Sequence, residues 1–113
     1  MATEPLSPTL TLADLAVTHP VASRVFHRHG LDFCCHGRRP LAEACAERGL
    51  PAESVVAEIA AEEEAAPDLV RWDARPLEEL VRHIYLRLAA FEAELMDHIH
   101  LENNVLFRRA LAA

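Results

Sequence analysis

A chain of 113 residues has room for one domain, or for one small domain with an appendage, and its 51% apolar content is enough for a modest core. The net charge of −7, with every cation an arginine, excludes the basic face that a nucleic-acid backbone needs. No apolar run approaches the roughly 20 residues of a membrane span, so neither nucleic acid nor membrane is an expected partner.

Glycine is scarce, aromatics are few, and alanine, leucine, glutamate and arginine dominate, which is the composition of helices. The start, "MATEPLSPTL", lacks the basic flank and apolar run of a signal peptide. A cytoplasmic, reducing location is therefore expected, where Cys34, Cys35 and Cys45 serve as thiols, metal ligands or redox groups rather than as a disulfide framework.

Residues 1–9 carry two prolines and little pattern and read as a loose tail. Residues 10–66 read as four short helices. Thr11 or Thr9 caps the first, which runs through Val17. Pro20 begins the second, "PVASRVFHRHG", and Gly30 ends it. Pro40 opens the third, which Gly49 stops, and Pro51 opens the fourth. Residues 67–76 form a proline-bearing linker in which Trp72 is expected to pin the chain to the small helical domain.

From Leu77 to Ala113 neither glycine nor proline occurs. Leu77, Val81, Ile84, Leu88, Phe91, Leu95, His98, Glu102 and Val105 recur at alternating intervals of four and three, the stripe of a long amphipathic helix. Such a helix extends about 50 Å at 1.5 Å per residue, longer than a small domain can cover. The fold class expected is all-α: a four-helix N-terminal domain, then one long helix at 77–113 that pairs between chains, making the protein at least a homodimer.

Two groups of residues can carry chemistry. His98 and Glu102 interrupt the apolar seam at a spacing of four, so they share one helical face and can reach one metal. They are also compatible with a satisfied polar pair in a core or with an exposed pair at a frayed end. His83 lies 15 residues before His98, about 22 Å along a straight helix. An antiparallel partner crossing near residue 92 would bring it level with the other chain's His98 and Glu102. A parallel partner would instead juxtapose two copies of that pair.

The other group is "LDFCCHG". Cys34 and Cys35 read as a metal clamp, a redox pair or inert filler. His36, Arg38 and Arg39 are expected to favour the reactive, metal-binding thiolate. Cys45, mid-helix, reads as core, His27 and His29 as complements to a helix end, and Glu62 to Glu64 as a solvated face.

The stretch "LADLAVTHPVASRVFHRHGLDFCCHGRRPLAEACAERGL" resembles the N-terminal domain of the di-iron proteins that repair iron-sulfur centres, the RIC or ScdA-like family, with its vicinal-cysteine loop D-[FY]-C-C-x-G before an alanine-rich helix. "WDARPLEELVRHI" resembles the start of that family's hemerythrin-like bundle. "LMDHIHLENNVLFRRAL" resembles its last helix, whose histidine and glutamate bind iron and fall here on His98 and Glu102.

The resemblance implies an iron-binding protein that repairs iron-sulfur centres damaged by oxidative or nitrosative stress, with iron-sulfur proteins as clients. It also marks departures. The two central helices of the bundle are absent, the first-helix ligand histidine is replaced by Ala89, and Arg108 stands where the family has proline. One chain thus offers one histidine and one glutamate of a six-ligand set, so iron would be held between chains. The alternative expectation is a thiol-bearing dimeric interaction module without a metal site.

Overall fold

Apart from one isolated bridge between Thr11 and Pro40, helices account for every regular element in this computed structural model, which describes residues 5–66 and 69–112. They are α1 (Leu12–Thr18), α2 (Ala22–Arg28), α3 (Leu41–Glu47), α4 (Ala52–Ala65), α5 (Leu77–Leu101) and α6 (Phe107–Ala112). The chain divides into two compact units, Met1–Ala74 and Arg75–Ala113.

Local chemistry sets the ends of the short helices. Thr11 is the N-cap of α1: its backbone is extended, and its hydroxyl accepts the Asp14 N–H at 3.1 Å. His19 precedes Pro20 and has left the helical region, which ends α1. Both α2 and α3 close on a glycine with positive φ, Gly30 at 67° and Gly49 at 66°. In each, the residue after the glycine donates back into the last turn, Leu31 N–H to Phe26 O and Leu50 N–H to Cys45 O. This Schellman pairing satisfies carbonyls that a helix end otherwise leaves open.

The core of the first unit follows the helical period: Leu12 and Leu15 from α1, Val25 and Phe26 from α2, Leu41 and Cys45 from α3, Val55 and Ile59 from α4, all essentially without solvent exposure. The fourth helix packs on both α2 and α3 and is tied to the chain before it by charge. Arg28 pairs with Glu58 and Glu62, His29 Nε2 lies 2.6 Å from Glu58, and the buried His19 lies 2.8 Å from Glu63. The expectation of a solvated glutamate face at 62–64 is corrected here, because two of the three glutamates hold partners across the bundle. His29 likewise does more than complement a helix end. Its ring and Arg28 together hold the Glu58 carboxyl below its ordinary range.

Leu6 packs on this core and Pro8 O accepts the Ala42 N–H at 2.9 Å, so the segment before α1 is tied down from Leu6 onward. Trp72–Ala74 forms a short 3-10 turn against α1. Pro67 and Asp68 of the expected linker lie outside the described residues.

The second unit is one helical rod. The long helix α5 passes residue 92 without a break, goes through a π-helical turn at Glu102–Leu106, and continues as α6. Among the described residues of this unit none is buried. Its seam stands in the open, from Leu77 at 73% exposure to Val105 at 40%. No helix among the described residues is long and apolar enough to cross a membrane.

Candidate functional site

The cysteine loop is anchored by a buried Leu31 and a half-buried Phe33, whose ring packs on Phe26 with centroids 5.9 Å apart. At the far end the loop carbonyls do the work of a cap: Gly37 O accepts the Ala13 N–H at 2.7 Å, and Arg39 O accepts the Leu12 N–H at 3.0 Å. These are N–H groups of the first turn of α1, which have no partner within their own helix. Glycine at 37 is required by space, since a Cβ there would collide with the Phe33 carbonyl oxygen and reach within 3.0 Å of Ala13 Cβ.

Between those anchors Asp32 organises the exposed turn. Its Oδ1 accepts the Cys35 N–H at 3.0 Å and lies 3.5 Å from Cys34 Sγ, and its Oδ2 accepts from His36 Nδ1 at 2.6 Å. The two sulfurs are 3.3 Å apart, and both thiols are free and exposed, whereas Cys45 is free and buried. The His36 hydrogen bond, with that of the Cys35 N–H, holds the Asp32 carboxyl down to about 2. Asp32 is therefore an anion at every physiological pH.

That anion changes the expected chemistry of the thiols. His36 was expected to favour the thiolates, but it is turned onto Asp32, and Arg39 is turned onto Glu43 and Glu47, 2.7 Å from the latter. The Cys34 thiol is pushed up, first by its hydrogen bond to Cys35 and then by that to Asp32. Burial pushes the Cys45 thiol up as well. The loop thus holds two accessible sulfurs beside a fixed carboxylate. Asp32, Cys34 and Cys35 are the one group of three metal-ligand side chains close together among the described residues, with donor atoms all within 4.8 Å of one another. Asp32 was not singled out from the sequence. Its signal is a carboxylate two residues before a cysteine pair, a spacing that lets one turn bring all three together.

On the rod, His98 and Glu102 do meet, Nε2 to Oε1 at 2.9 Å, with the histidine side chain 68% exposed. His100 pairs separately with Asn104 at 2.9 Å. His83 is on the same continuous helix, four turns away, and within one chain is not brought to them. An imidazole and a carboxylate suit iron, but one chain supplies only these two donors at this place. From Glu102 the helix widens, with Phe107 N–H donating to Glu102 O across a π-helical turn. Such turns occur mostly as single bulges, frequently at functional sites.

Residues 9–63 match ScdA_N, a domain of unknown function (DUF542). Over 80% of its length the chain is similar to proteins named iron-sulfur cluster repair protein YtfE. It is 36% identical to that of Escherichia coli O157:H7 over 93 residues, 40% to that of Cronobacter sakazakii over 91, and 38% to that of Citrobacter koseri over 93. The match covers 41% of each of those proteins, so the chain spans about two fifths of the length of the curated relatives it matches. No solved structure matches it.

Proposed function

We propose that this chain, whose residues 9–63 match ScdA_N and which is similar to iron-sulfur cluster repair proteins, acts in the repair of iron-sulfur centres as an iron-handling homodimer built on α5. The observation that carries this reading is the uncovered seam. Every apolar residue of the stripe from Leu77 to Val105 is at least 40% exposed, and the two polar residues that interrupt it are the hydrogen-bonded His98 and Glu102. A rod of this length with no buried residue among those described has little to hold it helical by itself, because most helical stability in proteins comes from packing an amphipathic face.

A second copy of the chain presents the same stripe. In the antiparallel arrangement each His83 comes level with the other copy's His98 and Glu102, so two incomplete donor sets become three-donor sets of imidazole and carboxylate. Iron bound there would be held by nitrogen and oxygen ligands and available for return to a damaged iron-sulfur protein, the client class of this proposal. The chain's own part is to place the donors: α5 sets their spacing, and the surrounding apolar seam keeps water from competing for them. A cytoplasmic, reducing location belongs to the same proposal, since it keeps Cys34 and Cys35 as thiols.

Sedimentation of the purified chain with metal analysis tests this. The expected result is a dimer carrying iron that His98→Ala and Glu102→Ala remove without dissociating it, with His83→Ala weakening iron in the antiparallel arrangement. A monomer, or a dimer indifferent to all three substitutions, sinks the reading. A second reading has its own observation in the exposed sulfurs 3.3 Å apart: a thiol-bearing interaction module whose rod only dimerises or docks. A metal-free dimer with both loop thiols reactive would favour it.

A further inference from the structure

The triangle formed by Asp32, Cys34 and Cys35 has roughly the dimensions of one face of a tetrahedral coordination shell. Metal–sulfur bonds of about 2.3 Å and metal–oxygen bonds of about 2.1 Å at the tetrahedral angle separate two sulfurs by about 3.8 Å and a sulfur from an oxygen by about 3.6 Å. The loop holds Cys34 Sγ and Cys35 Sγ at 3.3 Å, and Cys34 Sγ and Asp32 Oδ1 at 3.5 Å. The third edge is within 4.8 Å. The sulfur pair must open by about 0.5 Å and the third edge close by at most about 1.2 Å, shifts that exposed side chains make by rotation. The backbone beneath them is already committed: the Cys35 N–H on Oδ1, the Phe33 carbonyl against Gly37, and the Gly37 carbonyl on α1.

We propose that Asp32, Cys34 and Cys35 are the ligands of a metal site in the first unit, taking one thiolate-preferring divalent cation of the zinc or ferrous class through two sulfurs and one carboxylate oxygen. The donor set selects the class. Magnesium and calcium are bound by oxygen ligands, and two sulfurs exclude them. Binding is an exchange without redox change: the two S–H bonds break, their protons go to solvent, and two metal–sulfur bonds and one metal–oxygen bond form. The three negative charges of the ligands against two positive ones leave the occupied site with one net negative charge.

His36 is a positioning residue. It holds Oδ2 of Asp32 at 2.6 Å so that Oδ1 faces the sulfurs. Three protein ligands, all exposed, leave the fourth position to water or to a donor from another molecule. Structural sites are closed by four protein ligands, so this open one is suited to taking up and passing on its ion. The site stands apart from the reading of α5 and survives its failure.

The test is titration of the whole 113-residue chain, reduced, with Co²⁺, reading the thiolate-to-cobalt charge-transfer absorption and then its loss on adding Zn²⁺. One equivalent per chain is expected, with two protons released. Cys34→Ser and Cys35→Ser should each abolish or strongly reduce the band. Asp32→Asn keeps an oxygen for the Cys35 N–H and should weaken Co²⁺ binding at least about tenfold, and His36→Ala about tenfold. Circular dichroism checks that each variant keeps its helices. Cys45→Ser, and His98→Ala combined with Glu102→Ala, should leave the band intact. Absence of the band in the wild type overturns the proposal, as does its dependence on Cys45 or on the rod, or indifference to Asp32→Asn. Half an equivalent per chain would mean that two loops share an ion, and would equally overturn this site. If the band persists while α5 binds no iron, the site stands and the rod reading alone falls.

Discussion

The two units spend similar apolar residues in opposite ways. In the first, side chains at helical spacing from four short helices meet, and Leu15, Val25, Phe26, Leu41, Cys45 and Ile59 lose all contact with solvent. In the second, a longer and equally regular stripe stays exposed, with no buried residue among those described. Helices of seven residues, three of the four in the first unit, are far below the length at which a helix holds in water alone. They persist because Schellman ends, caps and cross-helix ion pairs accompany their burial. Regular patterning thus specifies a helix, and only a facing surface makes it stable.

Cutting the chain between Ala74 and Arg75 should have the largest effect. Residues 1–74 alone are expected to keep a cooperative thermal transition, and residues 75–113 to show helicity that rises with concentration. A first fragment without a transition would mean that the rod supports the bundle. Changing Leu88 and Leu95 together to glutamate should convert the proposed dimer to monomer by sedimentation and leave the transition of the first unit in place.

Within the first unit, Phe26→Ala removes a fully buried ring and should cost about 3–5 kcal/mol of unfolding free energy by denaturant titration. The same change at Phe91, 59% exposed in the single chain, should leave that transition unmoved. Gly37→Ala forces a Cβ onto the Phe33 carbonyl and should cost about 1–3 kcal/mol, with changed labelling of Cys34 and Cys35. Thr11→Ala removes the α1 cap at about 1 kcal/mol.

The smallest effects are electrostatic. Asp32 has its carboxyl lowered from 3.8 to about 2, so its contribution to stability is present above the ordinary value and is lost as pH falls through 2. A carboxyl NMR titration should place its midpoint there, and a midpoint near 3.8 would mean that the His36 and Cys35 hydrogen bonds do not form. Because Asp32 helps keep Cys34 protonated, Asp32→Asn should speed alkylation of Cys34 at neutral pH, while Cys45 stays slow until the protein unfolds.

Much of this molecule is written in local pattern. The prolines at 20, 40 and 51, the glycines at 30 and 49, and the period of four and three after Leu77 mark helix starts, stops and faces, because those depend on one or two turns of chain. For the same reason the pairing of His98 with Glu102 is legible as a spacing of four. What depends on distant residues is not. The glutamates of α4 look solvated in sequence, but Glu62 meets Arg28 and Glu63 meets His19 only because α4 folds back over α2. Nor does sequence alone separate a histidine that activates a thiol from one that grips a carboxylate. His36 sits beside Cys35 in the chain, but the turn that pins Gly37 and Arg39 to α1 accompanies an Asp32 held between that ring and the sulfurs. Composition and periodicity determined an all-α chain with a cysteine loop and an amphipathic rod. Tertiary packing decided which charges pair, which thiols face water and which carboxylate stands beside them, because each of those depends on the approach of atoms that the chain itself holds apart.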